Sequence, residues 1–105
     1  MPNTPREHPE RELPGGLVSV PNASLTTVTT VDTYISQIVV SNTTAGAVTL
    51  TVQDSSAKAL LAAVSLAANS QQTFSYPDLV LMSGGYKWQA SATGLVAEVF
   101  GYRHE

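Results

Sequence analysis

The chain has 105 residues, no cysteine and a formal charge of −3, which fits one hydrophobic core held by packing alone and excludes a disulfide framework or a thiolate metal site. Its five basic residues, Arg6, Arg11, Lys58, Lys87 and Arg103, are scattered, so no cationic stripe exists to neutralise phosphates and no direct nucleic-acid binding is expected. The N-terminus lacks the apolar stretch of a secretory signal and no apolar run is long enough to cross a bilayer, which predicts synthesis in the cytoplasm and no membrane association.

Five of the six prolines are Pro2, Pro5, Pro9, Pro14 and Pro21, each removing an amide donor and disfavouring helix at the preceding residue. Residues 1–23 therefore read as a flexible arm, and residues 24–105 as the folded domain. The first twelve positions are polar, while Leu13, Leu17, Val18 and Val20 give the rest of the arm something to bury. Fixing this stretch costs about 1–2 kcal/mol per residue in backbone entropy, whereas each buried apolar side chain contributes about 1.5–3 kcal/mol. Side-chain burial alone falls short, so the arm is expected to pair as an added strand on another subunit, with Pro14 and Pro21 at the ends where a missing donor does least harm. These four residues are the candidate partner-binding residues.

Beyond the arm, apolar and hydroxyl residues alternate in short runs broken by turn-forming clusters, as antiparallel strands require. The expected strands cover residues 24–31, 34–41, 47–53, 59–66, 71–76, 79–82, a run opening at Tyr86, and 95–102. Val48, Leu50 and Val52 point to one side and Thr49, Thr51 and Gln53 to the other. Tyr86, Trp88, Ala90 and Ala92 alternate in the same way with Lys87, Gln89, Ser91 and Thr93, and because they share their face with alanines the two aromatic residues read as core. The unbroken Ile38-Val39-Val40 reads as a central strand, and Asn42-Thr43-Thr44-Ala45-Gly46 as a hairpin loop joining it to the next strand. Thr93-Gly94 likewise predicts a hairpin between the Trp88 strand and residues 95–102. Residues 57–64 contain strong helix formers and allow a short helix, but the flanking turn clusters favour a strand. The sum is an all-β domain, an antiparallel β-sandwich or jelly roll of about eight strands with an extended N-terminal arm.

Little in the chain suggests catalysis. His8 and His104, its two imidazoles, fall in terminal segments and read as solvated tail residues. Asp32, Asp54 and Asp78 read as turn residues bonding local backbone, and Glu98 as a solvent-facing strand residue across from Gln89. No cluster offers the ligand spacing of a metal site, so no enzyme activity, metal or cofactor is expected. Asn22-Ala23-Ser24 and Asn42-Thr43-Thr44 match the glycosylation pattern, which arises readily in a chain rich in Ser and Thr. Gly84-Gly85 precedes a strand and not a helix, so it reads as a turn instead of a phosphate cradle. The aromatic residues leave one functional alternative, a sugar-stacking platform.

The run Ile38-Val39-Val40-Ser41-Asn42-Thr43-Thr44-Ala45-Gly46-Ala47-Val48-Thr49-Leu50, with Leu66-Ala67-Ala68-Asn69-Ser70 and Ser83-Gly84-Gly85-Tyr86-Lys87-Trp88, resembles the short β-sandwich accessory proteins of tailed-bacteriophage virions. The resemblance covers about residues 33–103 and brings no catalytic residues with it. It implies a capsid decoration or cement protein located in the virion, bound to other virion proteins such as the major capsid protein, and forming a symmetric homo-oligomer, preferably a trimer. A carbohydrate- or receptor-binding module of a tail or fibre is the alternative.

Overall fold

The computed structural model describes residues 10–104 and contains, among them, nine strands and no helix. They are β1 (Glu10–Glu12), β2 (Val18–Ser19), β3 (Thr26–Thr27), β4 (Thr33–Asn42), β5 (Val48–Asp54), β6 (Ala59–Leu66), β7 (Ser70–Met82), β8 (Tyr86–Ala90) and β9 (Leu95–His104). Every pairing is antiparallel. One sheet runs β9-β4-β7, with β1 and β2 both on the outer edge of β9, and the other runs β3-β8-β5-β6. If β1 and β2 are taken as one interrupted strand, the eight strands wind as the two Greek keys of a jelly roll.

The alternation read from the sequence sets the core. β5 buries Val48, Leu50 and Val52, and β8 buries Tyr86, Trp88 and Ala90, each against Ile35, Ile38, Val40, Leu95, Ala97 and Val99 of the facing sheet or its own neighbours. Tyr86 and Trp88 meet edge to face, with ring centroids 5.9 Å apart. Both aromatic residues are core, as their alanine-sharing face predicts.

The two expected hairpins are not hairpins. β4 lies in one sheet and β5 in the other, and β8 and β9 are likewise divided between them. A loop that crosses the roughly 10 Å between packed sheets carries the same Gly, Thr and Asn signals as one joining neighbouring strands. Among the described residues only β5 and β6 form a true hairpin, and Asp54 closes it: its Oδ1 accepts bonds from the Ser56 and Lys58 amides at 2.8 and 2.9 Å, with Ala57 at positive φ.

Three other elements differ in extent. The strand expected over residues 24–31 shrinks to Thr26–Thr27, because the chain there is crossing from one sheet to the other. The two strands expected at 71–76 and 79–82 are one, β7, broken in register where Ile35 faces Val80 and Gln37 faces Ser75. Residues 76–79 bulge from this edge, with Pro77 where no ladder bond is asked of it and Leu79 at positive φ, a device that discourages edge-to-edge pairing. The helix-prone segment is strand β6, and its alanines sit at irregularities: Ala63 adopts positive φ and gives its amide to Thr51 Oγ1 at 3.1 Å.

Gly85 and Gly101 are the glycines at positive φ where a Cβ would overlap backbone, Gly101 against the Tyr34 carbonyl and Gly85 beside the buried hydroxyls. Gly85 has φ +103°, and a Cβ there would overlap the Thr29 carbonyl. That close approach lets Thr29 accept the Tyr86 amide on its Oγ1 at 3.1 Å and donate to Thr33 Oγ1 at 2.8 Å, which in turn donates to the Val31 carbonyl at 2.8 Å. Two buried hydroxyls are satisfied by this chain.

Candidate functional site

The arm residues 10–21 do pair as an added strand, but on their own chain. Glu10, Arg11 and Glu12 face His104, Arg103 and Tyr102 of β9, and Val18 and Ser19 face Ala97 and Val96. The Leu13 amide reaches the Gly101 carbonyl at 3.0 Å and the Val20 amide the Leu95 carbonyl at 2.9 Å, after which the Pro21 carbonyl accepts the Ala90 amide at 2.9 Å. In the single chain these residues close the β9 edge of the same molecule. Residues 1–9 of the expected arm, including His8, lie outside the described residues.

The four candidate residues divide into two pairs. Val20 is buried in the core and Leu13 packs partly against it, whereas Leu17 and Val18 are exposed, at 56% and 51%. Pro14 lies between the two paired stretches and needs no donor there. Gly16, at φ +102°, gives its amide to Glu98 Oε2 at 2.8 Å. Glu98 therefore faces the arm and Val39 on β4, and not Gln89, which belongs to the other sheet.

The remaining polar candidates are accounted for by structure. Asp32 Oδ1 accepts the Gly84 amide at 2.8 Å, a contact distant in sequence and not local, while Asp54 makes the turn described above. Asp78 is exposed on the β7 bulge. His104 is the last residue of β9, and its amide bonds the Asp32 carbonyl at 2.9 Å, so it is part of a strand and not of a tail. Among the described residues no group of three His, Cys, Asp or Glu is placed to hold a metal ion. Asn42, read from the sequence as a loop residue, is 2% exposed and gives Nδ2 to the carbonyls of Gly46, Leu66 and Ala67 at 2.9 to 3.1 Å. Its amide is thereby closed to glycosylation in the folded chain.

Sequence reasoning missed the surface that the pairing assembles. Across the outer face of the first sheet, Tyr102 faces Tyr34 and Tyr34 faces Leu81, while Phe100 lies two residues along β9 on the same side. Tyr34 and Tyr102 stack with centroids 5.3 Å apart and planes at 27°. Leu81 and Phe100 are among the most exposed large apolar residues, at 46% and 39%. The opposite outer face carries Thr49, Thr51, Gln53, Lys87 and Gln89 instead. The two faces are therefore chemically unlike. The four apolar residues come from three strands, and no sequence window holds them together.

Burial also marks Tyr86, whose phenol is pushed up to about 12 by desolvation. In the unfolded chain it would ionise near 10, so above that pH the unfolded state releases a proton that the folded state keeps. Stability is full below pH 10 and falls as pH rises from 10 towards 12, by on the order of 2 kcal/mol. Urea midpoints between pH 9 and 12 should show this decline, and Tyr86→Phe should lessen it.

No family model, curated protein or solved structure matches this chain.

Proposed function

We propose that the chain is a non-enzymatic structural protein of a virion, a decoration or cement protein that seats on other virion proteins, in the first place the major capsid protein. The observation that carries this reading is the inequality of the two outer faces: one carries Thr49, Thr51, Gln53, Lys87 and Gln89, the other ends in Tyr34, Leu81, Phe100 and Tyr102. A charge-poor jelly roll with an apolar end on one sheet has the composition of a contact surface, in which apolar anchors supply affinity and polar surroundings supply fit. Jelly rolls occur in capsid proteins and in lectins alike, so the fold alone does not choose. The resemblance of residues 33–103 to accessory proteins of tailed phages favours the capsid. The low charge also favours self-association into a symmetric oligomer, with a trimer as the preferred state. In this reading the exposed face, and not arm exchange, makes the contact.

The double substitution Leu81→Ser, Phe100→Ser tests it. Both residues are exposed, so stability should change by no more than about 0.5 kcal/mol per site, while co-sedimentation with particles stripped of this protein should be lost. Unchanged co-sedimentation would overturn the reading.

The same aromatic residues favour a second reading, a carbohydrate- or receptor-binding module of a tail or fibre. Against it, Tyr34 and Tyr102 turn ring faces towards each other, leaving less free face for a sugar. Glycan binding lost in Tyr34→Ala with particle binding intact would put this reading first.

A further inference from the structure

The sandwich is not closed along the side where residues 13–18 lie. β2 and β3, which flank this side, have two residues each, and between the sheets lies a largely apolar cavity of about 170 Å³. Tyr86 and Trp88 of β8 form one wall, Ala97 and Val99 of β9 the other. Residues 13–16 and Val18 roof it, and Val28 stands at its rim, 41% exposed. We infer that this cavity is a binding site for a single apolar ring of benzene size, with residues 13–18 as its lid.

Three features define the ligand. An apolar cavity of about 150 Å³ is large enough to take up benzene, so the volume here suits one ring. The Tyr86 and Trp88 rings both border the cavity, and aromatic walls favour an aromatic molecule over a saturated one because ring pairs gain from edge-to-face or offset contact. The polar groups at the site have other tasks: Thr29 Oγ1 is held between the Tyr86 amide and Thr33, and Arg103, which also borders the cavity, is engaged in interactions of its own. Leu13, Val18, Val28, Ala97 and Val99 make the rest of the lining apolar.

The roof has the construction of a lid. β1 and β2 anchor its two ends to β9, and between them lie the Leu13 amide bond to Gly101 and the Gly16 amide bond to the Glu98 carboxylate. Gly15 and Gly16 give this stretch backbone freedom that other residues lack. Short loops with glycine can open and close over a site without disturbing the sheet that carries them.

Trp88 is the sole tryptophan of the chain and forms part of the wall, so its emission reads the cavity directly. Iodobenzene, a contact quencher, should quench the emission of the intact protein saturably, and benzene, which does not quench, should restore it by competition. Benzene at about tenfold its dissociation constant should also raise the melting temperature by about 5 °C. Ala97→Leu fills the cavity from its wall and should weaken both effects by about tenfold or more. Val28→Phe blocks the rim from an exposed position that the fold does not depend on, and should weaken them likewise even if Ala97→Leu does not fold. Phe100→Ser, on the outer face, should leave both unchanged. Linear, unsaturable quenching, or saturable binding that Val28→Phe leaves intact and Phe100→Ser abolishes, would overturn the inference.

Discussion

Replacing Trp88 with alanine should lower the stability of the folded chain by about 3–5 kcal/mol, the cost of emptying a large aromatic site in a packed core. Trp88 is 4% exposed and stands between Tyr86, which it meets edge to face, and the partner strands β3 and β5, where its register positions are Thr26 and Val52. Its loss would enlarge the cavity beside it, and the surroundings can relax only in part because the core residues Ile38, Leu50 and Val52 are wholly buried and protein interiors are close-packed. Urea denaturation of the two proteins at equal slope measures the difference. A midpoint unchanged by Trp88→Ala would mean that the indole faces solvent, and a platform role would replace the core role assigned to it.

The same residue shows what could be read from the sequence and what could not. Alternation is a local property of a strand: each residue faces in or out, and the apolar ones face in. Hence Val48, Leu50, Val52, Tyr86, Trp88 and Ala90 fall on the inner side, as expected from their spacing. Pairing is not local. The Thr43–Gly46 loop and the Thr93-Gly94 turn contain the residues of a hairpin, yet both carry the chain from one sheet to the other. Asp54 was legible as a turn residue and bonds the Ser56 and Lys58 amides as such, but Asn42 caps the crossing loop with the same kind of bond to the Thr44 amide, so turn chemistry does not separate a hairpin from a crossing. The arm was readable as an extended strand lacking donors at its prolines, but not as a strand of its own molecule, since that depends on where β9 leaves a free edge. For the candidate site the gap was larger. Tyr34, Leu81, Phe100 and Tyr102 meet only after β4, β7 and β9 are set in register with a bulge at Ser36, and the cavity depends on how far two short edge strands fail to close. Each is a consequence of pairing, and pairing is the level at which sequence patterns become degenerate.

Asn42→Ala should cost about 3 kcal/mol, a value more usual for a large core residue than for a polar one beside a loop. The side chain joins the two sheets: it leaves the end of β4 and gives Nδ2 to the Leu66 carbonyl at the end of β6, and also to the carbonyls of Gly46 and Ala67. On its other side Oδ1 accepts the Thr44 amide at 3.0 Å and the Thr44 hydroxyl at 2.7 Å, so both ends of the amide are used. Two hydrogens shared among three carbonyls make this a strong but strictly oriented clamp. An alanine would satisfy none of these groups. The loop carbonyls at Gly46 and Ala67 can turn to water, but the Leu66 carbonyl is bonded in a buried setting, and leaving such a group without a partner costs about 1–3 kcal/mol. Loss of the side-chain volume adds to this, because Asn42 is among the largest fully buried side chains. Asn42→Asp is the sharper comparison. It keeps the shape and the acceptor towards Thr44 but turns the donor into a carboxylate facing three carbonyl oxygens, so at neutral pH it should destabilise at least as much as alanine. Its penalty should shrink as acid protonates the carboxyl and restores one donor. Thermal melts of both variants at pH 4 and pH 7 check this, and an Asp variant whose deficit does not depend on pH would show that the carbonyls are not the partners that matter.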